Sequence, residues 1–159
     1  MKITIVAVGK IKEKYLTDAM TEYAKRLGRY CSLNIVEVTD EKTPDGASEM
    51  AEDKIRMREG ERILQKLPDG AFVIALALDG CAPDSLEFAR QMERWNVNGI
   101  SHMVFVIGGS LGLSREVLAR ADYRLSFSRL TFPHQLMRVI LLEQIYRSFR
   151  IRNHEPYHK

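Results

Sequence analysis

A chain of 159 residues, 45% hydrophobic and 28% charged, matches an ordinary globular protein large enough for a sizeable core, and one domain over residues 1–159 is expected. Two cysteines, Cys31 and Cys81, lie far apart and form no CxxC, so a pair of free thiols is the simplest reading and a zinc site is disfavoured. The apolar runs are too short to span a bilayer, and the start MKITIVAVGK has neither the h-region nor the cleavage site of a signal peptide, so a reduced, cytoplasmic protein without a membrane part is expected.

The run Lys2 to Val8, with Ile3, Ile5, Val6 and Val8, predicts a buried strand. Lys14 to Arg29 places Tyr15, Ala19, Met20, Tyr23 and Leu27 at helical spacing. A second strand is expected over Leu33 to Val38, then a loop at Thr43 to Gly46 and a long charged helix from Ala47 to Leu67, stopped by Pro68-Asp69-Gly70. Phe72 to Leu78 is apolar on both faces, as in a covered parallel sheet, and Asp79-Gly80 is expected to turn it into a helix from about Asp84 to Trp95. Met103 to Ile107 predicts a fourth strand that runs into Gly108-Gly109-Ser110-Leu111-Gly112, and Ser114 can cap a short helix to Arg120. Tyr123 to Phe127 and Pro133 to Arg150 predict a last strand and a last helix. This alternation predicts an α/β fold with a largely parallel sheet and right-handed crossovers.

In such sheets ligands bind beyond the carboxyl ends of the strands. The loops at Leu78 to Gly80, Gly108 to Gly112 and Phe127 to Phe132 are therefore expected to meet around one ligand. GGSLG is neither GxGxxG nor a Walker loop, which disfavours a dinucleotide site, and a plain tight turn remains an alternative. Asp79 suits either an active-site carboxylate or a simple Asp-Gly turn. No HxH, DxD or carboxylate cluster supports a metal. The last helix is apolar nearly all round at Leu136, Met137, Val139, Ile140, Leu141, Leu142, Ile145 and Tyr146, so a core helix or a homodimer interface is expected. His154, Tyr157 and His158 bring proton-transfer and stacking chemistry to a tail that would otherwise fray. Basic residues gather at both ends of the chain, as a phosphate-rich partner or a merely solvated surface would allow.

Taken together, KITIVAVGKIKEKY, ALDG, ERW, FVIGGSLGLS, LSFSRLTFPHQLMRVILLEQIYRSFRI and the closing PYHK resemble one family from end to end. It is the bacterial 23S ribosomal RNA pseudouridine N3-methyltransferases, the RlmH group of the SPOUT superfamily. The resemblance implies a SPOUT-type fold with a C-terminal trefoil knot, a homodimer, no metal, and a pseudouridine in the 23S rRNA of the assembled ribosome as substrate. It implies S-adenosylmethionine as cofactor, bound at Leu76, Gly108, Phe127, Ser128, Arg129, Leu130, Thr131 and Phe132. For the chemistry, His158 is expected as proton acceptor and Tyr157 as the group that orients the base, with Arg138 or Arg150 steadying negative charge. Lys10, Lys12, Arg26 and Arg29 are candidates for phosphate contacts. A cofactor-free knotted RNA-binding protein and a nucleotide hydrolase built on Asp79 are the alternatives.

Overall fold

The computed structural model describes residues 1–159. Five strands form one parallel sheet: β1 (Lys2–Val8), β2 (Ser32–Val38), β3 (Phe72–Cys81), β4 (His102–Ile107) and β5 (Tyr123–Leu125). Their order is β2-β1-β4-β3-β5, so β1 and β4 are central. Helices α1 (Lys14–Leu27), α2 (Glu49–Leu64), α3 (Ser85–Val97), α4 (Arg115–Arg120) and α5 (His134–Arg152) lie between and after them. The predicted α/β class with a parallel sheet is what forms, with boundaries shifted by a few residues.

The period of two in the central strands builds two cores. Ile3, Ile5 and Ala7 join Met103, Phe105 and Ile107 under α1, α3 and α5. Val6, Val8, Val104 and Val106 face the other way with Ile63 of α2 and Val117 of α4. Helix α5 packs between α1 and α3 and buries Leu141, Leu142, Ile145 and Phe149. Its apolar breadth therefore serves the core on one side. Leu136, Val139 and Ile140 near its start remain only partly covered.

Strand β3 does not stop at Asp79-Gly80. Leu125 of β5 pairs with both Leu76 and Cys81, so residues 77–80 bulge out and the strand resumes. Gly80 makes this possible, because a Cβ there would lie 2.7 Å from the carbonyl carbon of Arg124. Asp79 is left exposed beside Arg124 at 3.3 Å, and the capping box of Asp84 and Glu87 starts α3 instead.

Arg138 also departs from expectation. It is 1% exposed, donates from Nη2 to the carbonyls of Val8 (2.9 Å) and Gly9 (2.7 Å), and pairs through Nη1 with Glu37 at 2.6 Å. It ties α5 to the ends of β1 and β2 and is not free to steady charge on a substrate. The tail is ordered too. His154 adopts φ 54°, and the N–H groups of His154 and Glu155 donate to the carbonyls of Ile151 and Arg150. This is a Schellman turn with histidine at the left-handed position, which gives His154 a structural role.

Arg138→Met should lower stability by about 2–4 kcal/mol in urea titrations, because two buried carbonyls lose their donor. His154→Gly should leave stability unchanged or raise it by up to about 1 kcal/mol, whereas the β-branched His154→Val should lower it.

Candidate functional site

Beyond the carboxyl ends of β3, β4 and β5 lies a cavity of about 710 Å³, within the range that encloses a small organic ligand. Leu76, Gly108, Phe127, Ser128, Leu130, Thr131 and Phe132 all line it. Arg129, exposed on the same loop, does not. The three loops expected to converge do so, except that of Leu78 to Gly80 only Leu78 lines the cavity, joined by Ala77.

Each wall is fixed from behind. In the loop after β4, Gly109 and Gly112 form a bridge, and Gly112 has φ 82°. A Cβ on Gly108 would sit 2.8 Å from the backbone of Gly112, so the bend closes only with glycine at that position. Helix α2 braces this loop: Arg56 donates to the carbonyl of Leu111 at 3.4 Å, and the buried Glu59 lies against Gly109. Burial, with Asp40 and Glu41 nearby, raises the Glu59 carboxyl above its ordinary range, against a bond donated by the Glu41 amide. The wall after β5 holds itself. Ser126 N–H donates to the Cys81 carbonyl at 2.8 Å, the Ser126 hydroxyl to the Ser128 carbonyl at 3.1 Å, and Leu130 N–H to the Ser128 hydroxyl at 2.9 Å.

Sequence reasoning missed His134 and Met137, which also line the cavity. His134 is the second residue beyond the loop Phe127 to Phe132, and its position after Pro133 was the available signal. Burial, then the neighbouring Arg138, pushes its imidazole below the ordinary range, against an opposing pull from Asp40. The brace at Glu59 had no sequence signal, since it sits in a helix rich in charge. The lining combines apolar side chains, hydroxyls and glycine backbone, a set suited to a flat heterocycle bearing polar edges.

Tyr157 and His158 are brought together, but not at this cavity. Tyr157 donates to Glu143 at 3.1 Å, stacks edge-on with Tyr146 at 5.0 Å, and lies 4.7 Å beneath the Arg147 guanidinium. Burial and then the Glu143 carboxylate push its hydroxyl up to about 12, so it remains protonated at neutral pH. His158 Nδ1 is 3.3 Å from Arg147 Nη1. Arginine only donates, so Nδ1 accepts and Nε2 carries the hydrogen. Glu143 follows His134 by nine residues, about 13 Å along α5. Arg150 is likewise engaged elsewhere, with Tyr30, Glu155 and Pro156. Of the candidate phosphate ligands, Arg26 pairs with Glu22 at 3.0 Å, while Lys10, Lys12 and Arg29 are at least partly exposed. No group of three or more His, Cys, Asp or Glu side chains is gathered as a metal site would require, and no helix is long and apolar enough to cross a membrane.

Comparison with known proteins accords with this geometry. The family model described as predicted SPOUT methyltransferase matches residues 1–158. Ribosomal RNA large subunit methyltransferase H of Clostridium beijerinckii is 61% identical over 159 residues, covering 100% of both chains. The proteins of the same name from Bifidobacterium adolescentis and Clostridium tetani are 60% and 59% identical, again over 100% of each chain. A solved structure of a probable methylase family protein from Haemophilus influenzae superposes with a TM-score of 0.52 at 16% identity, covering 99% of this chain and 70% of that one, a likeness of fold alone. The cavity at the strand ends thus sits in a chain that belongs to the SPOUT methyltransferase family, among the ribosomal RNA large subunit methyltransferases H.

Proposed function

We propose that the chain transfers a methyl group from S-adenosylmethionine to N3 of a pseudouridine in 23S ribosomal RNA, working as a cytoplasmic homodimer on the assembled ribosome. One observation carries the cofactor part. Of the eight positions that the resemblance nominates, all but Arg129 line a single cavity at the strand ends. The group fits this lining: apolar faces at Leu76, Phe127, Leu130 and Phe132 suit an adenine, and hydroxyls and glycine N–H groups suit its polar edges. The cofactor supplies an activated methyl on a sulfonium. The chain's task is to align N3 with it and to help N3–H lose its proton.

The homodimer is supported by the layout of α5. Leu136 and Ile140, partly uncovered near the cavity, share a face with Glu143 and Arg147, which hold the tail. Antiparallel pairing of this face about a two-fold axis carries each tail to the other chain's cavity and covers the apolar strip. The threading of the C-terminal segment into a knot belongs to the same reading. Tyr157 then orients the base. His158 takes the proton once its Nδ1 leaves Arg147; while held there, it offers Nε2–H as a donor.

Calorimetry should register binding of S-adenosylmethionine, whereas a cofactor-free RNA-binding protein gives no heat. Mass-spectrometric mapping of ribosomal RNA from a strain lacking the protein should reveal one missing methyl on a pseudouridine; an unchanged map rejects the assignment. His158→Ala should cut turnover by about 10²–10⁴-fold with little change in cofactor affinity. Cofactor affinity should be fullest above the ordinary imidazole range. It should fall as pH drops through the lowered value of His134, which then becomes a cation beside Arg138 and the sulfonium. His134→Gln should flatten that acid limb.

A further inference from the structure

The tail is held at two points, and only one of them touches the residues that carry chemistry. Beside the hold on Tyr157 and His158 there is a second cluster, one step earlier in the chain. Glu155 accepts from the hydroxyl of Tyr30 at 2.6 Å and forms an ion pair with Arg150. Arg150 Nη1 also donates to the Tyr30 hydroxyl at 3.2 Å, and its Nη2 to the Pro156 carbonyl at 3.0 Å. Tyr30 belongs to the turn after α1, some 125 residues away, and its own ring is fixed face to face on Phe149 at 5.3 Å and 11°. Both charged side chains are mostly withdrawn from solvent, at 18% and 28% exposure, so the pair is screened less than a surface bridge.

We infer that Tyr30, Arg150 and Glu155 form a latch of positioning residues that sets where Tyr157 and His158 stand when the tail completes a methyl-transfer site. The inference rests on the tail having that catalytic part. The physical reason is reach. Once the Schellman turn has used Asn153 and His154, only Glu155 and Pro156 remain before Tyr157. Fixing Glu155 through its carboxylate and Pro156 through its carbonyl therefore fixes the origin of the two reacting side chains. Arg150 alone could hold the tail to its own helix. Tyr30 adds a contact from the turn after α1, which sets the tail relative to the body of the protein. A lysine could not replace Arg150, because bonds to the hydroxyl, the carboxylate and the carbonyl use the planar fork of a guanidinium.

The test uses the full-length protein with ribosomes as substrate and compares Tyr30→Phe, Glu155→Gln and Arg150→Lys, each in the parent and in a His158→Ala background. In the parent, turnover should fall about tenfold to a hundredfold, with affinity for S-adenosylmethionine and the melting temperature nearly unchanged. In the His158→Ala background the same substitutions should cost much less, since only the placing of Tyr157 is left to disturb. A general structural role would instead give equal losses in both backgrounds, and that result overturns the latch. Turnover in Tyr30→Phe and Glu155→Gln within about twofold of the parent, with His158→Ala impaired, overturns it as well. Parent-like turnover in His158→Ala itself overturns the tail's catalytic part, and the latch's role with it.

Discussion

The arrangement of the molecule depends on one buried guanidinium. Where β1 leaves the sheet, the carbonyls of Val8 and Gly9 point into the interior, and Arg138 donates to both from a single nitrogen. A buried carbonyl without a partner costs about 1–3 kcal/mol, so the start of α5 cannot drift from this point without losing that much at each. Glu37 on β2 balances the charge while itself reaching solvent, at 38% side-chain exposure. The desolvation that makes a buried ion pair unprofitable therefore falls mainly on one partner. One helical turn before Arg138 stands His134, and its position in the cavity follows from this anchor. The loop from Ser126 to Pro133 is thereby fixed at both ends, by the Cys81 carbonyl at one and by α5 at the other.

Helix α5 consequently joins two regions of different character. Its first turns border the cavity, its middle belongs to the core under β1 and β4, and its last turns carry the tail. An α-helix is stiff, so the distance between cavity and tail is set by residue count, and His134 and Glu143 stand about 13 Å apart along it. In the proposed homodimer the two halves of chemistry meet across an interface. A two-fold axis, as proposed, asks little of the sequence, because one helix face serves as both donor and acceptor of the contact.

Much of this was legible in the sequence. β1 and β4 are unbroken runs of β-branched and apolar residues, and their burial on both faces follows from composition alone. The site loops were legible because a parallel sheet binds ligands at one edge only, whatever the ligand. Other features were not. Asp79-Gly80 carries local turn chemistry, and what overrides it is a backbone contact with Arg124, a tertiary fact with no local signature. The sequence offers Arg138 as a group to steady negative charge and hides its anchoring role, because its carbonyl partners stand 130 and 129 residues earlier in the chain. Tyr157 and His158 announced chemistry by residue type, and the type says nothing about which cavity they serve.

The order of the tail can be judged by magnitude. Fixing the backbone of Glu155 to His158 costs about 4–8 kcal/mol, at about 1–2 kcal/mol for each residue. Against it stand the charge-assisted bonds of Glu155 with Tyr30 and of Tyr157 with Glu143, each contributing about 1.5–3 kcal/mol. The edge-on contact of Tyr157 with Tyr146 and the Arg147 guanidinium over its ring add about 1 kcal/mol apiece. The two sides are of the same size, so the tail is held without surplus. Its order is a cooperative property of a few contacts on α1 and α5, and a segment held so closely to balance can exchange one contact, such as that of His158 with Arg147, without the rest of the fold having to move.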